Sequence, residues 1–99
     1  MPSAFEKQKR KSLRQRWKAG EIEVAHWFER DRMFLAIQES MTGEYLAEWW
    51  DEDIEGLVEA GYLYVPSFIR IPSEVRKMEE SVIKYAEEMG IKAYKGRAS

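Results

Sequence analysis

Residues 21–40, EIEVAHWFERDRMFLAIQES, alternate between apolar and polar positions. Ile22, Val24, His26 and Phe28 fall on one side of an extended chain, and Met33, Leu35 and Ile37 resume the alternation after a charged ERDR stretch. A period of two on both sides of a polar break predicts a β-hairpin. The break lacks the Asn-Gly or Asp-Gly pair that tight hairpins favour, which leaves a helix joining Trp27, Phe34, Ile37 and Met41 as the competing reading.

The remainder reads mostly as helix. Residues 4–18 contain good helix formers and no Gly, Pro or β-branched residue. Their apolar stripe is thin (Phe5, Leu13 and Trp17), so this helix needs a surface to dock on, and Gly20 is its stop. Thr42 is placed to cap a short helix over 43–50, and Asp51 to cap another over 52–60. In the second, Ile54, Leu57 and Val58 form the apolar face and Gly61 ends it. YLYV and FIRI, around Pro66-Ser67, read as one bent strand or a tight pair of strands. Ser73 is the expected N-cap of the clearest helix, in which Val75, Met78, Val82, Tyr85, Ala86 and Met89 recur at steps of three and four up to Gly90. IKAY, 91–94, reads as a last short strand. The fold class expected is α+β: one compact domain over 1–99, with a small, mostly antiparallel sheet and three to four helices.

Composition narrows the class. The chain has 99 residues, 44% of them hydrophobic, with four Trp, four Phe and five Tyr, enough to build a core. No apolar run approaches the length of a membrane span, and the charged N-terminal residues are not expected to act as a signal peptide. The inside of a cell is therefore the expected location. Charged residues are 34% of the chain, while Cys and Asn are absent. Such a composition suits heat adaptation.

Charge is divided along the chain. Residues 1–20 carry seven bases and one acid, whereas 21–99 carry nine bases and seventeen acids, for an overall net charge of −2. The basic stretch KQKRKSLRQRWK comprises Lys7, Lys9, Arg10, Lys11, Arg14, Arg16 and Lys18, with Trp17 among them. Against it stands an acidic block of Glu44, Glu48, Asp51, Glu52, Asp53, Glu55 and Glu59 with no base between them. Opposite blocks in one small protein speak to partners rather than to fold. The basic stretch suits an acidic protein surface, in its own chain or a neighbour's, and an exchange of arms would make a symmetric homodimer. DNA or RNA is the alternative partner, through phosphate neutralisation.

Catalytic chemistry is sparsely supplied. His26 is the single imidazole and is expected to be a partly buried structural residue. The run WWDEDIE places carboxylates together, but it lacks the ligand steps of a calcium loop, and acids in a first helical turn suit the helix dipole. No nucleophile elbow, phosphate loop or thiol is present. No enzyme activity, cofactor, metal or small-molecule substrate is expected. Trp49, Trp50 and Tyr62 are candidates for core or interface packing, since their neighbours are acids that would repel a phosphate backbone.

Two resemblances bear on these residues. The stretch MTGEYLAEWWDEDIEGLVEAGYLYVPSFIRI is similar to the winged helix-turn-helix of transcription regulators. Its would-be recognition helix, 52–60, carries Glu52, Asp53, Glu55 and Glu59, which oppose entry into a groove lined by phosphates. A wing-like shape here would serve packing or protein contact. In general character, with an EKQKRKSLRQRWK start, no Asn or Cys, and an aromatic- and acid-rich body, the sequence resembles small orphan proteins of filamentous and rod-shaped viruses of hot-spring archaea. That resemblance implies a heat-stable protein made in the host cytoplasm, without an assigned activity and without functional residues to carry over.

Overall fold

A computed structural model describes residues 11–91. The elements run α1 (Leu13–Lys18), β1 (Ile22–Glu29), β2 (Arg32–Glu39), β3 (Tyr45–Trp50), α2 (Asp51–Glu59) and α3 (Pro72–Glu88). The three strands form one antiparallel sheet in the order β1-β2-β3. The result is a compact α+β domain with three described helices.

The expected hairpin is present, and the helical competitor is not. Glu29 pairs with Arg32, Val24 with Ile37 and Ile22 with Glu39, so the turn is Arg30-Asp31. Ile22, Val24, His26 and Phe28 share the inner face with Met33, Leu35 and Ile37, as alternation requires. α1, α2 and α3 supply Leu13, Trp17, Ile54, Met78, Val82, Ile83 and Ala86 to the core on that face, where Ile22, Val24, Leu35 and Ile37 are buried.

The helix expected over 4–18 begins, among the described residues, only at Leu13, because Ser12 caps it: its hydroxyl accepts the Gln15 N–H while its own N–H donates to the Gln15 side chain. Residues 4–10 lie outside the described residues. Four further expectations are corrected. Residues 43–50 do not form a helix capped by Thr42: Tyr45–Trp50 is the third strand, with Leu35 opposite Trp49 and Phe34 opposite Trp50. A lone hairpin is marginal in water and gains from a third strand, and Tyr45, Trp49 and Trp50 are side chains that suit a pleated surface. Gly43, at φ +75°, lets the chain turn back, closed by Glu39 N–H to the Glu44 carbonyl at 2.8 Å. This strand also removes the first helix of the helix-turn-helix comparison. Second, YLYV and FIRI form no strands. Tyr64 N–H donates to Ser81 Oγ at 3.1 Å instead of to a sheet neighbour, Pro66 is buried without a donor, and both edges of the sheet lie elsewhere. The wing of that comparison is thereby absent too.

The remaining corrections concern caps. Asp51 does not cap α2. Trp50 holds the cap position and Asp51 is the first helical residue, at φ +39°. Its carboxylate instead reaches β2, where Oδ1 accepts the Met33 N–H at 2.7 Å. Ser73 does not cap α3 either. Pro72 takes the first helical position, where its missing N–H costs nothing, and Ser73 lies in the first turn after Ile71. Of the apolar stripe expected on α3, Met78, Val82 and Ala86 are buried, Val75 and Tyr85 partly so, and Met89 is 61% exposed. Of the expected strand 91–94, only Ile91 is described, and it belongs to no strand.

Candidate functional site

The sheet has two faces, and described helices pack on only one of them. The outer face is fixed by the same register: Glu23, Ala25, Trp27 and Glu29 on β1, Arg32, Phe34, Ala36 and Gln38 on β2, and Tyr45, Glu48 and Trp50 on β3. Trp27, Phe34 and Trp50 form one row across the strands. Phe34 lies 4.5 Å from Trp50 and 5.6 Å from Tyr45, centroid to centroid. Trp27 meets Trp50 edge-on at 6.5 Å. Phe34 is covered by these neighbours, while Trp27, Tyr45 and Trp50 keep 37%, 46% and 40% of their surface exposed.

Charge around this aromatic row is ordered. The Trp27 indole N–H donates to Glu29 Oε2 at 3.1 Å and the Trp50 indole N–H to Glu48 Oε1 at 3.0 Å. Gln38 Nε2 donates to Glu23 Oε2 at 2.8 Å. Each of these three carboxylates thus accepts from a neutral donor, and among the described residues none forms an ion pair. The Arg32 guanidinium sits 5.5 Å from the Trp27 ring centroid and 5.9 Å from that of Trp50, within the range of cation–π attraction.

The basic stretch is placed differently. Lys7, Lys9 and Arg10 lie outside the described residues. Arg16 forms a two-pronged contact with Glu39, NH1 to Oε2 at 3.0 Å and NH2 to Oε1 at 2.7 Å, while its Nε donates to Glu21 at 2.9 Å. Glu39 is buried at the end of β2. This planar fork matches a carboxylate in a way lysine cannot. The Arg16 guanidinium is held still more firmly protonated, chiefly by the Glu39 hydrogen bond. Lys11 Nζ lies 2.7 Å from Glu21 Oε2, and its hydrogen bond, followed by that of Arg16, holds the Glu21 carboxyl below its ordinary range. Arg14 pairs with Glu80 at 3.4 Å, and its N–H donates to Glu87 at 3.0 Å. Lys18 is exposed, whereas Trp17 is core, with the Arg76 guanidinium 4.5 Å above its ring.

These carboxylate partners, Glu21, Glu39, Glu80 and Glu87, lie outside the acidic block. Within the block, Glu48 belongs to the outer sheet face, Glu44 to the β2–β3 turn, and Asp51, Glu52, Asp53, Glu55 and Glu59 to α2. The start of α2 borders a cleft of about 670 Å³ shared with the Arg30-Asp31 turn, Val65 and Pro66. Its charges are of both signs, and the described residues include no group of three side chains suited to hold a metal ion. Trp49 packs against the core and meets Tyr85 edge-on at 6.0 Å, and Tyr62 lies 5.3 Å from the same tyrosine.

His26 is partly buried on the inner face, its ring stacked on Phe28 at 5.8 Å. Burial raises the Glu79 carboxyl above its ordinary range, with the charges of His26 and Arg76 opposing that shift. Sequence reasoning missed Trp27, Phe34 and Tyr45 as one surface. The signal was available: they occupy the alternate phase to Ile22, Val24 and Leu35, once 45–50 is taken as a strand.

No family model, curated protein or solved structure matches this chain. No described helix is long and apolar enough to cross a membrane.

Proposed function

We propose that this chain is a non-enzymatic interaction protein, in which the basic stretch and its surroundings engage carboxylates of protein surfaces, in the same chain or in a partner. The observation that carries the reading is the Arg16 fork on Glu39 with Lys11 on Glu21. Arginine and lysine of the stretch are matched there to carboxylates in geometry as well as charge. A chain without thiols, with one imidazole and with no phosphate-binding loop offers little to a catalyst. The proposal extends to a heat-stable viral accessory protein of the host cytoplasm that associates as a homodimer. Its support is compositional, together with the opposite charge blocks along the chain.

Nucleic-acid binding is the competing reading. It is weakened because Lys11, Arg14 and Arg16 already pair with acids, which leaves less of the stretch to neutralise phosphates. Fluorescence anisotropy of labelled duplex DNA and RNA with the full chain, at about 50 and about 200 mM salt, tests the choice, since contacts to several phosphates weaken by orders of magnitude across that range. The expected result is no binding beyond weak, non-specific association. Tight binding that collapses with salt would replace the protein-contact reading with the nucleic-acid one.

A further inference from the structure

We infer that the outer sheet face is a docking site for an extended segment of a protein partner that bears arginine or lysine. The inference rests on the protein-contact reading above and names a second surface and its ligand chemistry.

Three observations select this occupant. The first is the rings. Trp27 and Trp50 already flank the Arg32 guanidinium at 5.5 and 5.9 Å, so the ring geometry of this face accommodates a planar cation. The second is charge. Glu23, Glu29 and Glu48 surround the aromatic row, each hydrogen-bonded only to a neutral donor. A cationic segment would supply the missing counter-charges, and a phosphate backbone would be repelled. The third is size. Strands of this length at ordinary spacings cover roughly 400 Å² on one face, about half of what each partner in a stable interface contributes. Two copies joined face to face would also set Glu23, Glu29 and Glu48 against the same acids. A narrow extended segment fits the area and the charge, and its alternate side chains would descend onto the rings.

Arg32 is then a resident competitor. Its side chain, exposed on β2, must yield the space over the rings or share it with the incoming cation. Removing it should strengthen binding, which a purely structural role for Arg32 would not do.

The test uses the isotope-labelled full chain and a short capped peptide of alternating glycine and arginine. Its control carries citrulline, the neutral isostere, at every arginine. Magnetic resonance follows the four indole N–H signals during titration. Saturable shifts of Trp27 and Trp50, with Trp17 and Trp49 unmoved, are expected. The citrulline peptide should bind about tenfold more weakly, as loss of one or two ring and carboxylate contacts implies. Glu29→Gln with Glu48→Gln should weaken arginine-peptide binding without unfolding the chain, and Arg32→Gln should strengthen it.

Equal affinity for the citrulline peptide, or no shift at either ring, overturns the inference. Shifts confined to the α2 amides also overturn it, while leaving the protein-contact reading intact on another acidic surface. A short RNA that moves the same two rings more strongly than the arginine peptide overturns both. Movement of those signals on concentrating the protein alone would assign the face to a second copy and defeat the proposed occupant.

Discussion

The two faces of the sheet are built from the same three strands and differ in everything that follows. Inward, Val24, Leu35 and Ile37 are covered by α1, α2 and α3, and Leu35 and Ile37 are fully buried. Outward, Trp27, Tyr45 and Trp50 carry larger apolar side chains yet keep more than a third of their surface exposed. Hydrophobicity alone would send the aromatics inside. What decides is register: a period of two assigns each side chain to a face, and the described helices lie on one face only. Among the described residues the aromatic row keeps this exposure, and it is on this exposure that the proposed docking draws.

Several substitutions sharpen this contrast. The largest effect belongs to the inner face. Ile37→Ala should cost about 2–5 kcal/mol in urea unfolding, because a buried branched side chain leaves a cavity. Next is the ion pair that closes the sheet end. Arg16→Ala leaves the buried Glu39 without its fork and should cost about 2–4 kcal/mol, and Arg16→Lys should restore only part of this. Asp51→Ala, which loses the acceptor for the Met33 N–H, should cost about 1–2 kcal/mol. On the outer face, Trp27→Thr should cost less than about 1 kcal/mol, since threonine suits an exposed strand. A Trp27→Thr protein as unstable as Ile37→Ala would break the contrast.

The smallest expected effects concern pH. The Glu21 carboxyl is lowered by Lys11 and Arg16. Its contribution is therefore present above the ordinary carboxylate range and is lost as pH falls through its depressed folded value. Glu79 has the opposite sign. Burial raises it, so its contribution is present at low pH and is lost as pH rises through the raised value. Glu79→Gln should thus be neutral or stabilising at pH 7, and Glu21→Gln destabilising there. Thermal unfolding of the two variants across the acid range would show these opposed trends.

Much of this fold was legible because alternation is a local signal. Ile22 to Phe28 and Met33 to Ile37 announced the hairpin, and the steps of α3 announced its buried side. Tyr45–Trp50 was not legible in the same way. LAEW contains helix formers, and only the open edge of β2 makes the segment a strand, which is a tertiary effect that overrides propensity. Missing that strand hid the outer face, since Trp50 and Tyr45 could not be aligned with Phe34 and Trp27. The caps failed for a similar reason. Asp51 and Ser73 are good capping residues, but Asp51 finds a better partner in Met33 N–H, and Pro72 already begins α3 one residue earlier. The carboxylate partners of the basic stretch were equally hidden. Glu21, Glu39, Glu80 and Glu87 are scattered along the sequence and gathered only by folding.

The most direct test of the two-faced account is solvent access to the four tryptophans in the full chain, read by magnetic resonance with a soluble paramagnetic agent. Ring protons of Trp27 and Trp50 should relax fastest, Trp49 less and Trp17 least, in the order of their exposure. Protection of Trp27 and Trp50 equal to that of Trp17 would contradict the account, because the outer face would then already be covered.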